Sequence, residues 1–143
     1  MTPPKRASSI AWAEGLSRRT RMDLPRMFGY SGCGTCRKAR AWLREQGVEC
    51  EDVPIRERPP GAADLGRLLA AYGGNRRAIL NTSGGDYRVP GVKEELAGLS
   101  EPDFLQRLSQ QGNLIKRPVL IGESLALVGF SQPEWQRALG VER

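Results

Sequence analysis

The segment Ser31-Gly32-Cys33-Gly34-Thr35-Cys36-Arg37-Lys38 sets two cysteines three positions apart, with Gly34 and Thr35 as the spacer. If a helix opens here, Cys33 lies near its N-cap, where unsatisfied N–H groups and the positive end of the helix dipole favour a thiolate. Arg37 and Lys38 add positive charge nearby. A free thiol titrates near 8.5, and such settings lower that to roughly 3.5–7.5. Cys36, one turn on, can attack a mixed disulfide formed at Cys33, so the pair reads as an attacking thiol and a resolving thiol. The chain contains no His. That excludes Ser–His–Asp and Cys–His nucleophile systems, HExxH zinc sites and any imidazole base, leaving Cys, carboxylates, Arg, Lys and backbone dipoles.

Other readings of the pair stay open. Zinc needs a fourth ligand, and the chain adds only Cys50 and carboxylates. An iron–sulfur cluster wants four cysteines, and the chain has three. Two inert core cysteines would be at home inside a strand or helix rather than beside glycines at a junction. Cys50 reads as a buried small hydrophobe, with a third redox thiol as the alternative. The stretch Asn81-Thr82-Ser83-Gly84-Gly85-Asp86-Tyr87-Arg88 is a polar loop between helices, or a loop over the redox site; it lacks the GxxxxGK[ST] pattern of a phosphate loop.

The elements that must position the thiols follow from periodicity. Arg26–Tyr30 is short, partly apolar and aromatic, and predicts a strand. From Thr35 to Gln46, Ala39, Trp42, Leu43 and Gln46 share one helical face, and Gly47 supplies a stop. Val48–Val53 predicts a second strand, which makes a βαβ unit. Leu65, Leu68, Leu69 and Tyr72 mark a helix over Ala62–Tyr72. Arg76–Leu80 is a further helical turn, Asn81–Pro90 is loop-like, and Val92–Leu99 and Glu101–Gln110 are helices. Ser100 with Asp103, and Ser131 with Glu134, have capping-box spacing. Val119–Gly122 and Leu125–Val128 predict two strands joined at Glu123-Ser124, and a last helix follows with Trp135, Ala138 and Leu139 on one face. A Cys-x-x-Cys ahead of a helix inside a βαβ unit points to a thioredoxin-like redox site. Pro118 belongs at a strand's first position and its peptide bond can be cis. In such folds a cis proline faces the cysteines, which would aim Arg117 at the same place, as a stabiliser of a thiolate or an oxyanion.

With 143 residues, 39% hydrophobic and 27% charged, the chain suits one globular domain that folds without disulfides or a metal. The net charge is +6, but residues 1–26 hold six basic against two acidic groups, and the remainder 16 against 14. The surplus sits in an N-terminal extension rather than in a basic stripe, which argues against nucleic-acid binding. Residues 1–26 read as a disordered basic extension, or as the product of a start assigned too early, with Met27 as the true beginning. No secretory signal or membrane-spanning run is seen, so a reducing cytoplasm is expected.

The ordered set Cys33-Gly34-Thr35-Cys36-Arg37-Lys38-Ala39, Pro59-Pro60, Asn81-Thr82-Ser83-Gly84 with Tyr87-Arg88, Leu114-Ile115-Lys116-Arg117-Pro118 and Leu127-Val128-Gly129-Phe130 resembles the arsenate reductase/Spx family over residues 27–140. The resemblance implies an α/β, thioredoxin-like fold (βαβ…ββα, mixed sheet) over 27–143, with a helical insertion near 58–112. It implies Cys33 as nucleophile, Cys36 as resolving thiol and Arg117 as anion stabiliser, with Gly34, Thr35, Asn81 and Pro118 shaping the site. No bound cofactor or metal is implied. Glutathione, glutaredoxin or thioredoxin would be the electron donor, the substrate would be arsenate or a disulfide, and the protein would act as a monomer. Of the three arginines that bind the oxyanion in glutaredoxin-coupled arsenate reductases, Arg117 matches one. Asn81 stands at a second position and Ala126–Leu127 offers no third. Those reductases also lack a cysteine where Cys36 stands. The Spx branch implies the alternative, a redox switch that binds the RNA polymerase α subunit. The combination of Cys-x-x-Cys, Asn-Thr-Ser-Gly and Lys-Arg-Pro is most similar to a third, reductase-like branch without an assigned substrate.

Overall fold

The computed structural model describes residues 24–141. Most of the expected N-terminal extension, residues 1–23, lies outside them. Its last residues join the sheet: the Pro25 carbonyl accepts the Glu51 N–H at 2.8 Å, and Arg26 opens the first strand.

β1 (Arg26–Gly29) runs into α1 (Gly34–Glu45). Cys36, Ala39, Trp42 and Leu43 are buried at helical spacing along α1, which sets the face that meets the sheet. The helix ends at Gly47, whose φ of +73° suits a residue without a Cβ. The N–H groups of Gly47 and Val48 close the last turn on the carbonyls of Arg44 and Leu43. This corrects the second strand. Val48 is spent on the helix end and cannot start a ladder, so β2 runs over Glu51–Pro54 instead of Val48–Val53.

Between β2 and the next strand lie α2 (Ala62–Ala71), α3 (Arg76–Ile79), α4 (Gly85–Arg88), α5 (Val92–Gly98), α6 (Glu101–Ser109) and a single 3₁₀ turn at Gly112–Leu114. α4 occupies part of Asn81–Pro90, expected as loop. Gly84 offers its carbonyl to the Arg88 N–H at 3.2 Å, and Gln111 holds Asp86 at 2.7 Å, which is enough for one turn. β3 (Val119–Ile121) and β4 (Ala126–Val128) form the expected tight hairpin, and α7 (Gln132–Leu139) ends the fold. Arg67 secures the hairpin by donating to the Gly122 carbonyl at 2.7 Å.

The sheet order is β2-β1-β3-β4, with β1 parallel to β2 and antiparallel to β3, and β3 antiparallel to β4. Alternation along the strands sorts side chains to two cores. Phe28, Val119, Ile121 and Val128 join the cluster built from the helical block, while Met27, Leu120 and Leu127 join α1 and α7. The sheet is therefore covered on both faces, as a mixed α/β, thioredoxin-like arrangement requires.

The two capping boxes part company. Ser100 accepts the Asp103 N–H at 3.3 Å, as the spacing predicts. Ser131 makes no side-chain cap, and the Glu134 carboxylate, instead of closing the box, accepts from the Tyr72 hydroxyl at 2.8 Å, which itself accepts the Val128 N–H at 2.9 Å. Glu134 thereby ties α7 to the end of α2 and to β4. No helix among the described residues is long and apolar enough to cross a membrane.

Candidate functional site

The loop after β1 turns at once into α1. Its geometry is set by the Cys33 N–H, which donates to the Tyr30 carbonyl at 3.0 Å. Cys33 has extended backbone angles and is the N-cap of α1. Its sulfur takes the place of the usual cap oxygen and accepts the Cys36 N–H at 3.2 Å. Cys36 is fully buried one turn on. Its burial depends on the end of β1, because a Cβ at Gly29 would stand 3.2 Å from the Cys36 sulfur.

Arg117 acts on the same sulfur from the head of β3, the strand next to β1. It precedes β3, its bond to Pro118 is cis, its guanidinium lies 5.5 Å from the Tyr30 ring, and its charge acts on the Cys33 thiol. Burial pushes the Cys33 thiol up. The hydrogen bonds from Cys36 and then from Arg117 outweigh that push, and the thiol lies below its ordinary value. Cys36 is driven the opposite way, to about 11, first by burial and then by its bond to Cys33. The two sulfurs thus differ in acidity, Cys33 being the more acidic and Cys36 the less.

The cation that acts on Cys33 is Arg117. Arg37, expected to lend charge, instead donates to the Ser31 carbonyl at 3.0 Å and braces the loop. Thr35 is exposed in the first turn of α1. Gly34 meets no close neighbour, since a Cβ there would make only ordinary contact with Arg37 at 3.7 Å. Pro118 is buried and its carbonyl accepts the Gly129 N–H at 2.8 Å, which holds the head of β3 to the chain after β4. Asn81 donates to the Asn113 carbonyl at 3.3 Å, and the Asn113 side chain accepts from Arg56 at 3.0 Å, so Asn81 is linked to Arg56 through Asn113 and has no direct bond to either cysteine. Cys50 is partly rather than fully buried. Burial and then Asp52 raise its thiol to about 11, and it lines a separate cleft with Arg40 and Arg44. Among the described residues no group of three or more His, Cys, Asp or Glu side chains is gathered as a metal site.

Sequence reasoning missed Gly29, Tyr30, Arg56 and Asn113. Arg56 stacks on the Tyr30 ring at 3.6 Å and Arg117 lies 5.5 Å from the same ring. Only the position of Tyr30 just before the cysteine loop could have flagged any of them.

Alkylation of the reduced protein by iodoacetamide is expected to show Cys33 reacting with a midpoint below that of a free thiol. Arg117→Gln should move that midpoint up. Cys36 and Cys50 should stay slow until the pH nears 11. An unchanged midpoint in Arg117→Gln would detach that residue from the site. The stability signs are opposite. The lowered Cys33 contributes stability above the unfolded thiol pKa and loses it as pH falls through the folded value. The raised Cys36 and Cys50 contribute below the unfolded pKa and lose it as pH rises toward about 11.

A mixed sheet of this order, a cysteine pair at the start of α1 and a cis proline at the head of β3 define a thioredoxin-like protein. The ArsC family model matches residues 28–138, and the chain belongs to the ArsC family. It is 38% identical over 109 residues to the uncharacterised protein YusI of Bacillus subtilis, covering 76% of this chain and 92% of YusI. It is 29% identical over 107 residues to the global transcriptional regulator Spx of Enterococcus faecalis, covering 75% of this chain and 80% of that one. Among solved structures, a "possible arsenate reductase" of Streptococcus mutans matches with a TM-score of 0.70 and 30% identity, over 80% of this chain and 98% of that one. The arsenate reductase of Vibrio cholerae shares the fold, with a TM-score of 0.62 at 21% identity, over 82% of this chain and 97% of that one.

Proposed function

We propose that the protein is a thiol–disulfide oxidoreductase in which Cys33 attacks, Cys36 resolves and Arg117 stabilises the anionic sulfur. The observation that carries this reading is the Cys33 sulfur capping α1 on the Cys36 N–H at 3.2 Å, where Cys36 and then Arg117 hold its thiol below the ordinary value. The Cys33 thiolate attacks one sulfur of a disulfide. The Cys33–substrate bond forms, the substrate's own S–S bond breaks, and one substrate thiolate leaves with the electron pair. The charge on Cys33 is then gone, and with it two of the influences that held the Cys36 proton. Cys36 becomes more acidic when it is needed, loses its proton and attacks Cys33. The second substrate thiol departs and an intramolecular disulfide is left, which glutathione, a glutaredoxin or a thioredoxin reduces with two electrons. One arginine at the sulfur, with Asn81 bonded to Asn113, favours a disulfide over arsenate as substrate.

The test compares glutathione- and glutaredoxin-coupled reduction of a protein–glutathione mixed disulfide and of arsenate. Turnover of the mixed disulfide well above that of arsenate is expected. No thiol-dependent reduction of either would overturn the reading.

The similarity to Spx supports a second reading, in which the same disulfide switches a surface for the RNA polymerase α subunit. A pull-down with the isolated C-terminal domain of that polymerase chain, under oxidising and reducing conditions, tests it. Retention in one state only supports a switch, and no retention in either removes it.

A further inference from the structure

We propose that Arg56 is a second anion-recognition residue of the Cys33 site, which selects disulfides carrying a carboxylate or similar anionic group close to the sulfur. The inference rests on the thiol-exchange reading above and names the substrate class of that site.

Tyr30 is the platform. Its carbonyl holds the Cys33 N–H at 3.0 Å, so ring and nucleophile belong to one turn. Arg56 lies 3.6 Å over the ring and Arg117 5.5 Å from it, so the two guanidinium groups cannot be farther apart than those distances laid end to end. Arg117 lowers the pKa of the Cys33 thiol. Arg56 is fixed from behind, its Nε donating to the Asn113 side chain at 3.0 Å. Among the described residues its two Nη groups make no hydrogen bond and no carboxylate pairs with either arginine. Three arginines away from the site do pair with carboxylates: Arg40 with Asp52 at 3.0 Å, Arg26 with Asp64 at 2.7 Å and Arg107 with Glu95 at 2.9 Å.

Two like charges gathered on one ring repel, and stacking on the ring face offsets only part of that. An anion within reach of both turns repulsion into attraction and gains charge-assisted hydrogen bonds from the unspent donors. The positive end of α1 points to the same place. The chemistry that fits is a disulfide with a negative group near the sulfur that Cys33 attacks. In that step the Cys33–sulfur bond forms, the substrate S–S bond breaks and the leaving thiolate carries off the electron pair. Arg56 holds the anionic group of the half that stays.

The test is single-turnover reaction of the reduced, full-length protein with two chromogenic disulfides, dithiobis(nitrobenzoate), with a carboxylate on each half, and dithiodipyridine, uncharged at neutral pH. The phase belonging to Cys33 is the one missing in Cys33→Ser. In Arg56→Gln the ratio of the anionic to the neutral rate should fall about tenfold, the scale of one charge-assisted hydrogen bond. Arg56→Lys, which keeps the charge and gives up the planar fork toward Asn113, should keep most of the ratio. The wild-type rate with the anionic reagent should drop with salt more steeply than that of Arg56→Gln. An unchanged ratio in Arg56→Gln, or the same loss in Arg56→Lys as in Arg56→Gln, would overturn the role of Arg56 and leave the thiol chemistry standing. Failure of the wild type to react faster than a free thiol with either reagent would overturn both.

Discussion

Cys33→Ser is expected to reduce disulfide turnover to the uncatalysed background while the fold survives. Serine is among the preferred N-cap residues, so its hydroxyl can take over the Cys36 N–H that the sulfur now accepts at 3.2 Å. The change in stability should stay within about 0.5 kcal/mol. Cys36→Ser should separate the two thiols by outcome. Attack at Cys33 goes ahead, resolution stops, and the protein accumulates as a mixed disulfide with one glutathione. Intact-mass analysis after exposure to oxidised glutathione reads all three states: an internal disulfide in the wild type, one adduct in Cys36→Ser and none at this site in Cys33→Ser. An adduct that persists in Cys33→Ser and disappears in Cys36→Ser would reverse the assignment.

The largest loss of stability is expected from Phe104→Ala in α6. Phe104 is fully buried in the cluster that joins the helical block to Phe28, Val119 and Val128 of the sheet. Arg76 covers its ring at 4.6 Å while donating to the Leu96 and Leu99 carbonyls at 3.0 and 2.9 Å. Deleting the ring leaves a cavity and strips apolar cover from that guanidinium, at a cost of about 3–5 kcal/mol. Urea unfolding should show the whole loss in a single transition, because block and sheet share one core. A cost below about 1 kcal/mol, outside the usual range for such a truncation, would show that the block is not packed as described.

The cysteine pair and its helix were legible because both are local: a motif, an apolar spacing and a stop at Gly47 fall within one short stretch. The helix with Leu65, Leu68 and Leu69 and the hairpin at Glu123-Ser124 were legible for the same reason. The start of β2 was not, since Val48 is alternating in pattern but its N–H is claimed by Leu43. The Glu134 half of the Ser131 box was not legible, since its carboxylate goes to Tyr72, distant in sequence. Arg117 could be placed because a proline before a strand constrains where its neighbour goes. Arg56 could not, for it reaches the site through a ring in an earlier loop and an amide in a later one. No periodicity or motif encodes a contact of that kind.

Cys36 packs in the cluster that also holds Trp42 and Trp135, with Cys33 and Phe130 against it, and the Phe130 ring meets Trp135 edge-on at 5.0 Å. On the thiol-exchange reading, a sulfur–sulfur bond would form in the cluster that holds both indoles, and their emission is expected to fall on oxidation, an unlabelled optical gauge best read in Trp12→Phe.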